Sequence, residues 1–426
     1  MKMSSALVQT GLLGLSFLLE HVAAQDDLGS VLQSQSNLST YYNLIKVSLE
    51  PSSCILGFLG SEEDLQKREA FVSNFQQKYP EVILKLPNYD GVTIVAPSNS
   101  AFENIPGTQL NGIWNESDAS IAVPILEYHI LQGTVSTGAL ESGPPVLRSS
   151  LLLNKAWNNV TTGQNVLVNK QPGDVIVFTS SEGIRTTQVE GDIKFAGGLI
   201  QVVDNLMIPP ARLENTTDSF KLPAFLGALY AANLIPSVSE EKNVTIFAPR
   251  NEAFERVAGS LSNLDKDALK KFLNYHVVPG RILASSDLKN GTNLTTLATE
   301  DIKVIRSGNN LFLNSAQIIQ PDILVANGIL HIIDNVLNPD APSMTPNPSA
   351  VTQAPAYPES SASGLPFTTA IPCTVSCPVT TTASPTAAAS TRSSTTGLRT
   401  TTSPGAAVRT GVAAGAALLA GLAALA

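Results

Sequence analysis

The chain has 426 residues, 43% of them hydrophobic, and a formal net charge of −9. That length allows two or three cored domains. The acidic balance offers no basic face to neutralise phosphates, which argues against nucleic acid as a partner. Three cysteines are too few for disulfides to build the fold.

At the amino terminus Lys2 precedes an apolar run over residues 12–19, and Ala23-Ala24 stand before Gln25. This layout predicts a cleaved secretory signal over residues 1–24, too short to be a spanning helix. Export gives the Asn-x-Ser/Thr tripeptides meaning as N-glycosylation candidates. They start at Asn37, Asn115, Asn159, Asn215, Asn243, Asn290 and Asn293. Asn347 is followed by proline and is excluded.

The body of the chain repeats itself. Thr93-Ile94-Val95-Ala96-Pro97-Ser98-Asn99-Ser100-Ala101-Phe102 returns as Thr245-Ile246-Phe247-Ala248-Pro249-Arg250-Asn251-Glu252-Ala253-Phe254. Tyr128-His129 and Tyr275-His276 follow in turn, and each copy closes on a glycine-led apolar stretch ending at Asp204 or Asp334. Three landmarks in one order predict a duplicated module, with bodies over residues 25–210 and 218–340 and a short linker between.

Within a copy, Thr245-Ile246-Phe247 has strand character and Pro249 halts it. Asn251 is placed to cap a helix that carries Phe254 inward, and Asn99 with Phe102 repeats the pattern. Leu264, Ala268, Leu269, Phe272, Leu273 and His276 recur at helical spacing, so an amphipathic helix is expected to end at Tyr275-His276. Pro124 interrupts the matching stretch of the first copy and predicts a shorter helix starting there. Short strands over residues 302–305, 311–313 and 329–333 complete the copy. Helices crowd each first half and strands each second half, which is an α+β arrangement. The first copy carries extra material, including a predicted helix over residues 62–79 and an expansion over residues 142–191.

Little in the sequence looks reactive. His129, His276 and His331 all fall in repeat landmarks. A His276–His331 metal pair lacks a third ligand at a recognised spacing, and Gln201 replaces His331 in the first copy. The expected role is an imidazole holding a backbone group. Asp204 and Asp334 are expected to hold a turn or cap. Hydrolase and phosphate-cradling motifs are missing, so no catalytic residue, cofactor or metal is expected.

Residues 341–403 are dominated by Ser, Thr, Pro and Ala, a composition that predicts a disordered, O-glycosylated stalk. Cys373 and Cys377 lie within it and suggest a local or interchain disulfide, while Cys54 sits in an apolar stretch as a candidate buried thiol. Residues 404–426 end in an apolar run that, as a helix, would be about 22 Å long, short of the roughly 30 Å hydrocarbon core. No basic residue follows it. Both features predict a removed glycosylphosphatidylinositol signal, with Ser403, Gly405 or Gly397 as the attachment residue.

The repeated phrase, the Tyr-His pair and the closing stretch Asn327-Gly328-Ile329-Leu330-His331-Ile332-Ile333-Asp334 resemble the fasciclin domain. The resemblance implies two tandem fasciclin-like domains, each a β-wedge with packed helices, and no enzyme activity. The whole layout is similar to fungal surface fasciclin-like proteins. It implies adhesion to cell-surface or matrix proteins and glycans, with attachment to the outer membrane face or cell wall through a lipid anchor. A structural wall component without a specific ligand is the other reading. In the family, Tyr-His and Asp-Ile dipeptides are associated with adhesion, which points by resemblance to Tyr128, His129, Asp192, Ile193, Tyr275, His276, Asp322 and Ile323. The same residues could instead hold the core.

Overall fold

The computed structural model describes residues 26–45, 82, 85–86, 89–342, 344–360 and 364–372. The expected signal peptide, the helix over 62–79, Cys54, Cys373, Cys377, the stalk beyond residue 372 and the lipid signal with Gly397, Ser403 and Gly405 lie outside them.

The first module opens with α1 (Leu28–Ser34) and α2 (Ser39–Ile45), then β1 (Val92–Pro97), α3 (Asn99–Glu103) and α4 (Ala119–Tyr128). Six strands follow: β2 (Ile130–Gln132), β3 (Val146–Ser149), β4 (Asn165–Gln171), β5 (Val175–Thr179), β6 (Arg185–Phe195) and β7 (Gly198–Val203). Helices α5 (Leu213–Ser219), α6 (Pro223–Ala231) and α7 (Ile235–Glu240) lead into β8 (Val244–Pro249) of the second module. Then come α8 (Asn251–Arg256), α9 (Ala258–Ser262), α10 (Lys266–Asn274), β9 (Val277–Val278), β10 (Asn293–Thr295), β11 (Asp301–Ser307), β12 (Asn310–Leu313), β13 (Ala316–Val325) and β14 (Gly328–Ile333).

Both sheets have one topology. The first runs β2-β1-β7-β6-β5-β4-β3 and the second β9-β8-β14-β13-β12-β11-β10. Among the described strands only β1/β7 and β8/β14 pair in parallel. Every residue of β1, β8 and β14 is buried, as expected of a strand covered on both faces. Gly198 and Gly328 start the closing strands because a side chain there would collide with the carbonyl of Val92 or Val244 directly across the ladder. In the second module the helices pack Phe225, Leu229, Phe254 and Phe272 onto Ile246, Leu330 and Ile332. The two tandem α+β domains are therefore present as expected.

Five details differ from the sequence reading. The asparagines of the repeated phrase do not cap their own helices. Ser98 caps α3 by accepting from the Ala101 N–H, while Asn99 accepts from the Thr40 N–H at 2.9 Å and donates to the Ser36 carbonyl. Asn251 likewise reaches back to the Lys221 carbonyl at 2.9 Å. Each amide ties the phrase to an earlier segment of its module, Asn99 to α2 and Asn251 to the turn between α5 and α6.

Pro124 lies inside α4, which starts earlier, at the Asp118 cap, and runs for ten residues. Burial of Ala122, Pro124, Ile125 and Leu126 outweighs the one backbone bond that proline forfeits. The supposed linker is helical: α5 buries Leu213 in the second core, since an amphipathic turn finds apolar surface beside it.

The expected stalk does not begin at residue 341. Residues 344–360 and 364–372 fold back on the second module, where Tyr357, Leu365, Phe367 and Ile371 pack on its helical core. Four scattered apolar side chains suffice to anchor a segment whose overall composition reads as unfolded.

The expansion over 142–191 is largely the sheet itself. Its surplus falls in the loop 150–164, where the second module has only 296–300. That loop reaches the second module: the Gln164 amide donates to the Ala326 carbonyl at 3.1 Å, and the Asn159 N–H to the same oxygen at 2.8 Å. Leu167 packs with Ala284, Leu324 and Ile329 across the same seam.

Candidate functional site

The landmark residues sit at matching places in the two copies. Tyr128 and Tyr275 end α4 and α10 and are fully buried. The Tyr128 hydroxyl donates to the Asn165 carbonyl at 2.8 Å. The Tyr275 hydroxyl donates to the Asp301 carbonyl at 2.9 Å and accepts from the Asn314 amide. Asn165 and Asp301 are the first residues of β4 and β11, so each tyrosine links its helix to the same strand.

The histidine beside it links the helix to the closing segment. His129 Nε2 accepts from the Met207 N–H at 2.8 Å, and His276 Nε2 from the Leu337 N–H at 3.0 Å. An acceptor at Nε2 requires the proton at Nδ1. Nδ1 accordingly donates to Ile125 O at 2.7 Å in the first copy and Phe272 O at 2.8 Å in the second. Burial disfavours the charged ring and pushes both histidines down to about 4, against a smaller upward pull from those carbonyls.

The Asp-Ile pairs lie at bulges in the long strands β6 and β13, where the register slips between residues 188 and 193 and between 318 and 323. Asp192 and Asp322 take φ values of 56° and 65° there, a left-handed conformation that aspartate tolerates. The bend aims each carboxylate at the loop after the second strand of its sheet. Asp192 accepts from the N–H groups of Thr137 and Gly138 and from the Ser136 hydroxyl, each at 3.0 Å. Asp322 accepts from the Ser285 N–H at 2.6 Å and from its hydroxyl. Partial burial works to raise the Asp192 pKa, yet the Gln201 amide and the loop donors together bring it down to about 2. Ile193 is half-buried and Ile323 buried.

The closing aspartates pair strands. Asp204 accepts from the Thr187 N–H, and Asp334 from the Gln317 N–H, both at 2.7 Å. Burial raises the Asp334 pKa against the pull of that N–H. The Tyr-His and Asp-Ile pairs thus serve different backbone segments. His331 spends its two nitrogens on the Asp322 N–H and the Leu283 carbonyl, so its ring and that of His276 address backbone partners. Among the described residues no group of three His, Cys, Asp or Glu is placed to hold a metal. Among the same residues no helix is long and apolar enough to cross a membrane.

Sequence reasoning missed two features. One is the seam residue set, Asn159, Thr161, Gln164 and Asn243. Its only sequence signal was the overlong loop carrying a sequon. The other is a repeated surface point: Val189 and Ile319 stand at the first bulge of β6 and β13 with 65% and 43% of their surface exposed. An apolar residue at one position of both copies was visible once the two bulges were aligned on Asp192 and Asp322.

A fasciclin domain model matches residues 69–209 and 221–339. A fasciclin-like arabinogalactan protein of Arthroderma benhamiae is 30% identical over 289 residues, which cover 67% of this chain and 68% of that protein. Transforming growth factor-beta-induced protein ig-h3 of Sus scrofa is 26% identical over 279 residues, 63% of this chain and 38% of that one. A solved FAS1 domain pair from the insect cell adhesion molecule fasciclin I aligns at 16% identity over 65% of this chain and 98% of its own, with a TM-score of 0.30. With two domain matches in succession and a relative of the same domain family over two thirds of its length, the chain belongs to the fasciclin domain family.

Proposed function

We propose that the chain is an adhesion or matrix-contact glycoprotein of the outer cell surface, without catalytic activity. Its paired fasciclin modules make weak, multivalent contacts with cell-surface or matrix proteins and glycans. The observation that carries this reading is the repeated exposed point, Val189 and Ile319, held on two modules that dock through the loop 150–164. Two like contacts at a fixed spacing raise effective concentration, so modest affinities combine into firm attachment. The buried landmark residues hold the presenting strands in shape.

The secretory signal, Ser/Thr-rich stalk and lipid signal expected from the sequence support display at the membrane or wall. The exposed sequons at Asn37, Asn115, Asn290 and Asn293 support a glycosylated ectodomain. Cell aggregation and substratum binding test the reading, with residues 25–340 deleted and the remaining tail kept. Attachment should be lost. Undiminished attachment would leave the modules as structural wall components. Release from intact cells by a phosphatidylinositol-specific phospholipase tests the anchor.

A further inference from the structure

Two of the sequon asparagines lie where the modules dock, each bonded to the opposite module. Asn159 Nδ2 donates to the Glu240 carbonyl at 2.8 Å, and its own N–H goes to Ala326 O. Asn243 spends both ends of its amide on Thr161: Oδ1 accepts from the Thr161 N–H at 2.9 Å, and Nδ2 donates to Thr161 Oγ1 at 2.8 Å. Thr161 is itself the hydroxyl residue of the Asn159 sequon. The hydroxyl residue of the other sequon, Thr245, is fully buried. It donates to the Arg281 carbonyl and accepts from the Leu283 N–H. Asn243 also holds a φ of 55°, a conformation that asparagine adopts more readily than most residues.

An N-glycan is joined at Nδ2. The new bond takes one amide hydrogen and sets a sugar ring directly against the nitrogen. At Asn159 and Asn243 the atom beside that nitrogen belongs to the other module, within hydrogen-bond distance. We propose that glycosylation of either asparagine and docking of the two modules exclude one another. The docked chain carries both amides bare and uses them in its joint, beside Gln164 and Leu167. Glycans are added to the unfolded chain in the secretory pathway, so a sugar placed at either position leaves the modules apart. The inference concerns the joint alone and stands whatever ligand the outer faces take.

The test uses the full chain secreted from a glycosylating host, with glycopeptide mass spectrometry paired to hydrogen exchange over the loop 150–164. Chains bare at Asn159 and Asn243 should show a slowly exchanging loop, and any chain glycosylated at either should show a fast one. A glycan at either position with the loop still protected overturns the proposal. A second variant separates the amide from the sugar. Asn243→Asp, made in a host that adds no glycan, loses the donor to Thr161 and should lower the melting temperature by about 2–4 °C and deprotect the loop. Thr161→Ser keeps the hydroxyl and should do neither. If Asn243→Asp leaves both melting and exchange unchanged, the joint does not depend on these amides.

Discussion

His331 and Gln201 are interchangeable parts. On β14 and β7 they occupy one register position, opposite Phe247 and Val95, and they make the same pair of backbone bonds. His331 Nδ1 accepts from the Asp322 N–H at 3.2 Å, as Gln201 Oε1 does from the Asp192 N–H at 2.8 Å. His331 Nε2 donates to the Leu283 carbonyl at 2.9 Å, as Gln201 Nε2 does to the Val135 carbonyl at 2.9 Å. An imidazole and a primary amide each offer one acceptor and a donor on opposite sides, so either can bridge the strand bulge to the loop.

The relationship makes a substitution test direct. His331→Gln should cost the second module less than about 1 kcal/mol, because both backbone partners keep a bond. His331→Leu leaves the Asp322 N–H and the Leu283 carbonyl buried and unpaired, at about 1–3 kcal/mol for each group. Urea denaturation of the two variants beside the parent measures the difference. Equal losses would mean that the stacking of His331 on Phe247, with centroids 5.6 Å apart, matters more than the bridge.

Stability should fall in mild acid through His129 and His276. Their folded values of about 4 lie below the ordinary 6.5. Between those pH values the unfolded chain binds protons that the folded chain refuses, so stability is full above about 6.5 and is lost as pH falls towards 4. Each imidazole accounts for up to about 3 kcal/mol across that window. Denaturation midpoints at pH 7, 5.5 and 4.5 should decline in step. Ring proton shifts in NMR should show neither histidine titrating near 6.5; a normal titration there would contradict the buried, Nε2-accepting geometry.

Much of this was legible in the residues, and the rest fails for identifiable reasons. The repeated phrase, the helix ending at Tyr275 and the strand closing at Ile333 are local patterns of apolar period and turn chemistry, and they reappear as α10, β8 and β14. The roles of Asn99 and Asn251 were not legible, because the partners of these amides, Ser36 and Lys221, are chosen by tertiary contact. The bulges at Asp192 and Asp322 leave no mark in hydrophobic alternation beyond an ill-fitting polar residue. The seam is least visible of all: Asn159 and Asn243 are 84 positions apart, and a sequon pattern reads as solvent-facing when taken alone.

Asp192 should behave as a loop staple. Asp192→Ala removes the acceptor for the Thr137 and Gly138 N–H groups and places alanine at positive φ, which should cost about 2–3 kcal/mol. Asp192→Asn keeps a residue suited to that backbone and one acceptor oxygen, so its loss should be smaller. In the parent, the stabilisation is present above the ordinary carboxylate pKa of 3.8 and disappears as pH falls to about 2. Hydrogen exchange of the Thr137 and Gly138 amides reports on it directly. Exchange that stays slow in Asp192→Ala would show the loop to be held by other contacts.

Residues 344–360 and 364–372 form a strap on the helical side of the second module. Phe367 meets Phe254 and Tyr357 meets Phe272 edge-on, at centroid separations of 6.3 and 6.0 Å. Between them Ser360 exchanges backbone bonds with Gly259 and Arg256 at 2.8 and 3.1 Å, and Arg256 pairs with Glu359 at 3.2 Å. The Phe367 carbonyl comes so close to Gly227 on α6 that a Cβ there would collide with it. Gly227→Ala should therefore release residues 364–372 while leaving the rest of the strap in place, and truncation after residue 340 should release all of it. Each aromatic freed exposes its share of the helical core, so melting should drop by about 2–4 °C for the point variant and further for the truncation. Limited proteolysis locates the change. Gly227→Ala should gain a cut within 364–372 that the parent resists, and an unchanged cleavage pattern there would mean that the strap does not depend on that close approach.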